Sequence, residues 1–126
     1  MQYLLMIYVN EATRWKDPAV VEAIRDKYAV FTREIIQSGH FKGGEGLQPS
    51  TTATTVRVRE GKPLLTDGPF AEAREQLGGY YLIEAADLDT ANAIAARIPD
   101  AEYGAIEVRP IRQQPAVELQ KFGRAS

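Results

Sequence analysis

The chain has no cysteine and one histidine among its 126 residues. The first absence removes disulfides, thiolate metal sites and a cysteine nucleophile, and the second leaves a zinc site without its usual protein ligands. No metal and no cofactor are therefore expected. There is also no apolar run near the ~20 residues that a membrane span requires. The apolar opening "MQYLLMIYV" lacks the basic flank and small-residue cleavage site of a signal peptide, and reads as a strand. Charge of one sign is missing as well. Fifteen basic and seventeen acidic residues are interspersed for a formal net charge of −2, so no basic footprint for nucleic acid is present. Neither nucleic acid nor a membrane is expected as a partner, and a cytoplasmic setting is compatible with the missing cysteine.

What is present fits one α+β domain, since domains commonly run to about 100–150 residues. Gln2 to Val9 is apolar at nearly every position, which predicts a central strand covered on both faces. Asp17 and Pro18 supply a helix cap and first turn. At 100° per residue, Val20, Ile24, Tyr28, Phe31 and Ile35 fall within an arc of about 80°, one inward face of a helix that Gly39 stops. "TTVRVRE" alternates Val56 and Val58 with Arg57 and Arg59, the pattern of a half-buried strand, and "EGKP" turns the chain towards a short return strand at Leu64 and Leu65. Gly78 to Ala85 reads as a further strand. Asp87 or Asp89 caps a second helix with a stripe of Ala91, Ile94, Ala95 and Ile98, ended by Pro99, and "GAIEVRP" offers the last strand. Strand, helix, strands, helix, strand predicts helices on one face of a largely antiparallel sheet. In the tail, 111–126, a short helical piece is expected at Ala116 to Phe122, partly docked through Val117, Leu119 and Phe122.

Several side chains are candidates for chemistry. Asp67, before Gly68 and Pro69, either accepts backbone hydrogen bonds in a turn or points into a cleft as an acid or base. Arg74 either balances Glu72 and Glu75 or binds a substrate carboxylate bidentately. His40 either complements the end of the first long helix or takes part at a substrate site as the lone imidazole. "GGEG", Gly43 to Gly46, reads as a bulge or tight turn rather than an anion loop, because the lysine of a phosphate-binding loop is missing. Tyr3, Tyr80 and Tyr81 are either sheet-pairing core residues or the wall of an aromatic pocket, with Tyr81 as the substrate-binding candidate.

"GGEGLQP" (Gly43 to Pro49), "ATTVRV" (Ala53 to Val58), "TDGPFAEAREQLGGYYLIE" (Thr66 to Glu84) and "ARIP" (Ala96 to Pro99) together resemble the DGPF-domain branch of the YCII-related family, over about residues 1–110. That resemblance implies a ferredoxin-like fold and a homodimer whose two sheets join in a dimeric α/β barrel. It also implies a small-molecule ligand, because wider members include lyases and isomerases, some moving protons with a histidine and a carboxylate. The family-like histidine position falls here on Tyr28, a phenol with a reference pKa of about 10, which departs from that pattern. Asp67 is then the acid or base and Tyr28 the positioning or donor residue. Since such proteins are frequently encoded beside extracytoplasmic-function sigma factors, the resemblance equally implies a noncatalytic ligand-binding or regulatory module with a sigma-factor-linked partner. A fold by itself assigns no activity.

Overall fold

The computed structural model describes residues 1–113. β1 (Gln2–Val9) lies inside a four-stranded sheet, antiparallel to β5 (Gln76–Glu84) on one side and β6 (Ala105–Pro110) on the other. β2 (Phe41–Gly46) pairs antiparallel with the far edge of β5, giving the order β2-β5-β1-β6. Between β2 and β5 in the chain, β3 (Thr54–Arg59) and β4 (Lys62–Asp67) form a separate two-stranded sheet. With that hairpin set aside, the order strand-helix-strand-strand-helix-strand in this sheet arrangement is ferredoxin-like, an α+β fold.

The two long helices, α2 (Pro18–Gln37) and α3 (Leu88–Ala95), pack on one face of the sheet. Tyr3, Leu5, Ile7 and Val9 of β1 join Phe31 and Ile35 of α2 and Ala91 and Ile94 of α3 in a single buried cluster. Asp17 caps α2 by accepting from the Ala19 N–H, with Pro18 at the first helical position as the sequence implies. Ile24, Phe31 and Ile35 are buried; Val20 is 41% exposed because it lies in the first turn, ahead of the sheet. Of the two candidate caps for α3, Asp87 is the one used. Its side chain accepts from the Thr90 N–H and hydroxyl, and these bonds hold its carboxyl below the usual carboxylate range. The whole stripe of Ala91, Ile94, Ala95 and Ile98 is buried.

Three expectations need correction. β1 is central, yet only its odd-numbered side chains are buried, since both long helices cover the same face; Leu4, Met6 and Tyr8 on the other face are half-buried. Val56 and Val58 are each 60% exposed, because among the described residues β3 pairs only with β4 and no layer packs on that hairpin. "GGEG" is part of strand β2, with an irregularity in register between Phe41 and Gly43, so the bulge reading holds at that point while the segment as a whole is extended. A helix not anticipated from the sequence, α1 (Glu11–Arg14), precedes α2. The expected helical piece at 116–122 and its docking lie outside the described residues.

Candidate functional site

A cavity of about 450 Å³ opens between α1, α2 and the paired strands β2 and β5. Its floor depends on glycines. A Cβ at Gly44 would lie 2.8 Å from the Tyr80 carbonyl oxygen and 2.9 Å from Cδ1 of Tyr81, and one at Gly79 would lie 2.9 Å from the Glu45 carbonyl oxygen. These distances are too short for any side chain, so Gly44 and Gly79 let β2 and β5 close beneath the pocket. Ile7, Val9, Val21 and Phe41 make its walls largely apolar.

The polar end comes from three separate segments. α1 is only four residues long, but it is tied at both ends. Asn10 caps it by accepting from the Ala12 N–H, the Glu11 carboxylate accepts from the N–H and hydroxyl of Ser50, and Arg14 reaches Asp100. Asp100 sits in the single 3-10 turn Pro99–Ala101 that follows α3, and is 3% exposed. Arg14 donates through Nε to Oδ1 at 2.6 Å and through Nη2 to Oδ2 at 3.3 Å. The Tyr28 hydroxyl, from α2, donates to Oδ2 at 2.6 Å. Charge-assisted bonds of this kind are the stronger ones, but a buried ion pair repays its desolvation only approximately, so stability is a poor reason for its presence.

The electrostatics of this cluster set what each group can do. Burial first, and then the hydrogen bond and negative charge of Asp100, push the Tyr28 phenol far above its ordinary range. Tyr28 is therefore a neutral donor throughout the physiological range. One atom is left over: Nη1 of Arg14 is buried and has no hydrogen-bond partner among the described residues. The Trp15 ring lies against the same guanidinium, with Cζ 4.3 Å from the ring centroid. Trp15 itself is 51% exposed and also lines the cavity.

Tyr81 belongs to the core and also lines the cavity. Its ring packs edge-on against Phe31 at 5.3 Å in the core, while its hydroxyl shares a 2.6 Å hydrogen bond with Thr32 at the cavity wall. Burial pushes this phenol up, partly offset by the Thr32 bond. Tyr80 borders the cavity, but it pairs with Met6 and so presents its side chain on the sheet face opposite the helices; Tyr3 belongs to the core.

The other sequence candidates are elsewhere. Asp67 ends β4 on the hairpin, is exposed, and is not among the residues lining the cavity. Its carboxylate makes no hydrogen bond among the described residues; the turn after it is held by Gly68 N–H to the Ala53 carbonyl at 2.8 Å and by the Thr55 hydroxyl to the Gly68 carbonyl at 2.9 Å. Gly68 has φ +98°, which explains the glycine directly. Arg74 is exposed in an irregular segment, beside a shallow groove with Glu11 and Glu72, so the helical pairing of Glu72 with Glu75 does not arise. His40 donates from Nδ1 to the Glu84 carbonyl at 2.8 Å, joining the exit of α2 to the end of β5. Arg14 and Asp100 were missed because 86 residues separate them and no local spacing links them. The available signal was Asp100 itself, an acid placed directly after the buried stripe ending at Ile98 and Pro99. Among the described residues no cluster of three or more potential ligands could hold a metal ion, and no helix is long and apolar enough to cross a membrane.

Fold and site together define a ferredoxin-like α+β protein with an apolar cavity ended by a buried ion pair of arginine and aspartate and a half-buried tyrosine. The chain belongs to the YCII-related family: the YCII-related domain matches residues 1–115. Over 123 residues it is 36% identical to an uncharacterised protein of Rhizobium meliloti (strain 1021), an alignment covering 94% of this chain and 98% of that one. Among solved structures it is similar to the 5-chloro-2-hydroxyhydroquinone dehydrochlorinase TftG of Burkholderia phenoliruptrix AC1100, in complex with 2,5-dihydroxybenzoquinone. That similarity covers 90% of this chain and 96% of the other, with 14% identity and a TM-score of 0.48.

Proposed function

We propose that the protein is a small-molecule enzyme of the lyase or isomerase kind that moves a proton through Tyr28 to Asp100. The observation carrying this reading is the 2.6 Å bond from the Tyr28 hydroxyl to Asp100 Oδ2 at the wall of an apolar cavity. Asp100 takes the role that the sequence reading gave to Asp67. A substrate carbon gives its proton to the Tyr28 oxygen while the phenolic proton passes to Oδ2. The phenol is neutral before and after, which suits its raised pKa, and the negative charge moves from the carboxylate to the substrate. Return of the proton to a different carbon completes an isomerisation; departure of a leaving group from the neighbouring carbon completes an elimination. Positioned proton transfer of this type contributes about 10²–10⁴-fold in rate.

The working unit in this reading is a homodimer. Leu4, Met6, Tyr80 and Leu82 form a half-buried apolar patch on the sheet face opposite the helices, and a second copy applied through the same patch would close two sheets into a dimeric α/β barrel. Sedimentation should give a dimer for the native chain and a monomer for Leu82→Glu. A native monomer would count against this part.

The activity is tested by screening a metabolite library with mass detection of conversion, on the native chain and on Tyr28→Phe. Conversion that Tyr28→Phe abolishes supports the reading, and conversion it leaves unchanged removes it. A second reading, a noncatalytic ligand-binding or regulatory module linked to sigma-factor signalling, is favoured by the fact that both oxygens of Asp100 already have protein partners. Under it, ligands bind without conversion, and a purified sigma-factor partner raises the mass seen by light scattering.

A further inference from the structure

The Arg14 guanidinium is the most incompletely satisfied buried group of the cavity. Its side chain is 7% exposed, two of its nitrogens are committed to Asp100, and Nη1 has no partner among the described residues. A buried charged donor left unpaired bears its desolvation cost without return, so a protein that keeps one needs an acceptor from outside or a reason to bear the loss. The surroundings say what kind of acceptor would enter. Trp15 lies against the guanidinium, aliphatic and aromatic side chains form the walls, and the volume of about 450 Å³ falls within the range of small-molecule pockets. Among the charged groups lining the space, Arg14 and Arg25 are matched in number by Asp100 and Glu45, so the cavity is close to electrically balanced. Net charge therefore does not select the ligand; one directed donor does.

We infer that Arg14 Nη1 is a recognition point for an anionic oxygen, and that the ligand is a small ring compound bearing a carboxylate or a phenolate. The inference rests on the cavity being the working site. Nη1 donates to the ligand oxygen while Nε and Nη2 stay on Asp100, which leaves the ring among the apolar walls. Trp15 covers the guanidinium from the C-terminal cap of the four-residue helix α1, where little packing restrains it, and shifts aside as the oxygen arrives. In the proton transfer proposed above, the same donor stabilises the negative charge that the substrate acquires.

The test uses the full chain and two matched pairs of probes: benzoate with benzamide, and 4-cyanophenolate with benzonitrile. Binding is followed by calorimetry and by fluorescence of Trp15, the only tryptophan. At least one anion should bind about tenfold or more tightly than its neutral counterpart, the difference a charge-assisted hydrogen bond supplies, and should change Trp15 emission. Whichever pair shows the preference distinguishes a carboxylate from a phenolate. Arg14→Lys retains a cation for Asp100 but has no second edge to offer, and should lose the preference; Tyr28→Phe should keep it. Equal binding of anions and neutral compounds, no binding of any probe at millimolar concentration, or a preference that survives Arg14→Lys would overturn the inference. Should Arg14→Lys fail to fold, the comparison of anion with neutral probe on the native chain decides. Failure here leaves the conversion assay on Tyr28→Phe untouched, and absence of conversion leaves the anion preference untouched.

Discussion

Asp67 ends β4 two residues before Pro69, Asp100 directly follows Pro99 in the turn after α3, and their surroundings are opposite. Asp67 is exposed, and the turn behind it is closed by backbone groups, the Thr55 hydroxyl and the positive φ of Gly68. Asp100 is 3% exposed and accepts three hydrogen bonds from residues 72 and 86 positions away. The hairpin follows local rules of turn chemistry, which make its motif conspicuous in a sequence. The cavity wall follows none of them, because its charge network exists only once α1, α2 and the turn after α3 have been brought together. A conspicuous acid is therefore not the organised one.

Removing each aspartate should separate the two regions most sharply. Asp100→Ala strands a buried guanidinium and is expected to cost about 3–5 kcal/mol in chemical denaturation, whereas replacing the pair together, Arg14→Met with Asp100→Leu, should recover much of that loss. Tyr28→Phe leaves the ion pair in place and loses one hydrogen bond to a charged group, an expected cost of about 1.5–3 kcal/mol, together with about a hundredfold or more of any turnover.

Alkaline pH gives a smaller, directional contrast. The folded-state pKa of Tyr28 is raised above the unfolded value of about 10, so the stability it contributes is complete below that pH and lost as pH rises beyond it. Unfolding free energy followed above pH ~10 should fall less steeply in Tyr28→Phe than in the native chain. Equal slopes would remove the assigned cause. The least effect is expected on the hairpin: Asp67→Asn should change stability by no more than about 0.5 kcal/mol and leave turnover intact. A large loss of either would place the working carboxylate on the hairpin after all.

Where periodicity and caps carry the structure, the fold was legible. The run of β1, the stripe of α3 and the caps at Asp17 and Asp87 all state their structure locally, and together with the resemblance they yield the ferredoxin-like arrangement. The alternation of β3 misled, because Val56 and Val58 have the period of a strand with a buried face but no layer among the described residues to cover them. β2 was hidden by its glycines, whose value lies in a close approach to β5 that no propensity records. Of the site, Tyr28 and Tyr81 were reachable, one through the helical face and the resemblance, the other through the aromatic strand. Arg14 lies in a helix too short to show a period, and Asp100 resembles any surface acid after a proline until its partners are known.

The most direct measurement takes the first substrate found by mass detection and compares its turnover by Tyr28→Phe and by Asp67→Asn, each checked for a native fold. A cavity-wall site gives a loss of about a hundredfold or more in Tyr28→Phe and native turnover in Asp67→Asn. Native turnover in Tyr28→Phe with loss in Asp67→Asn would contradict it.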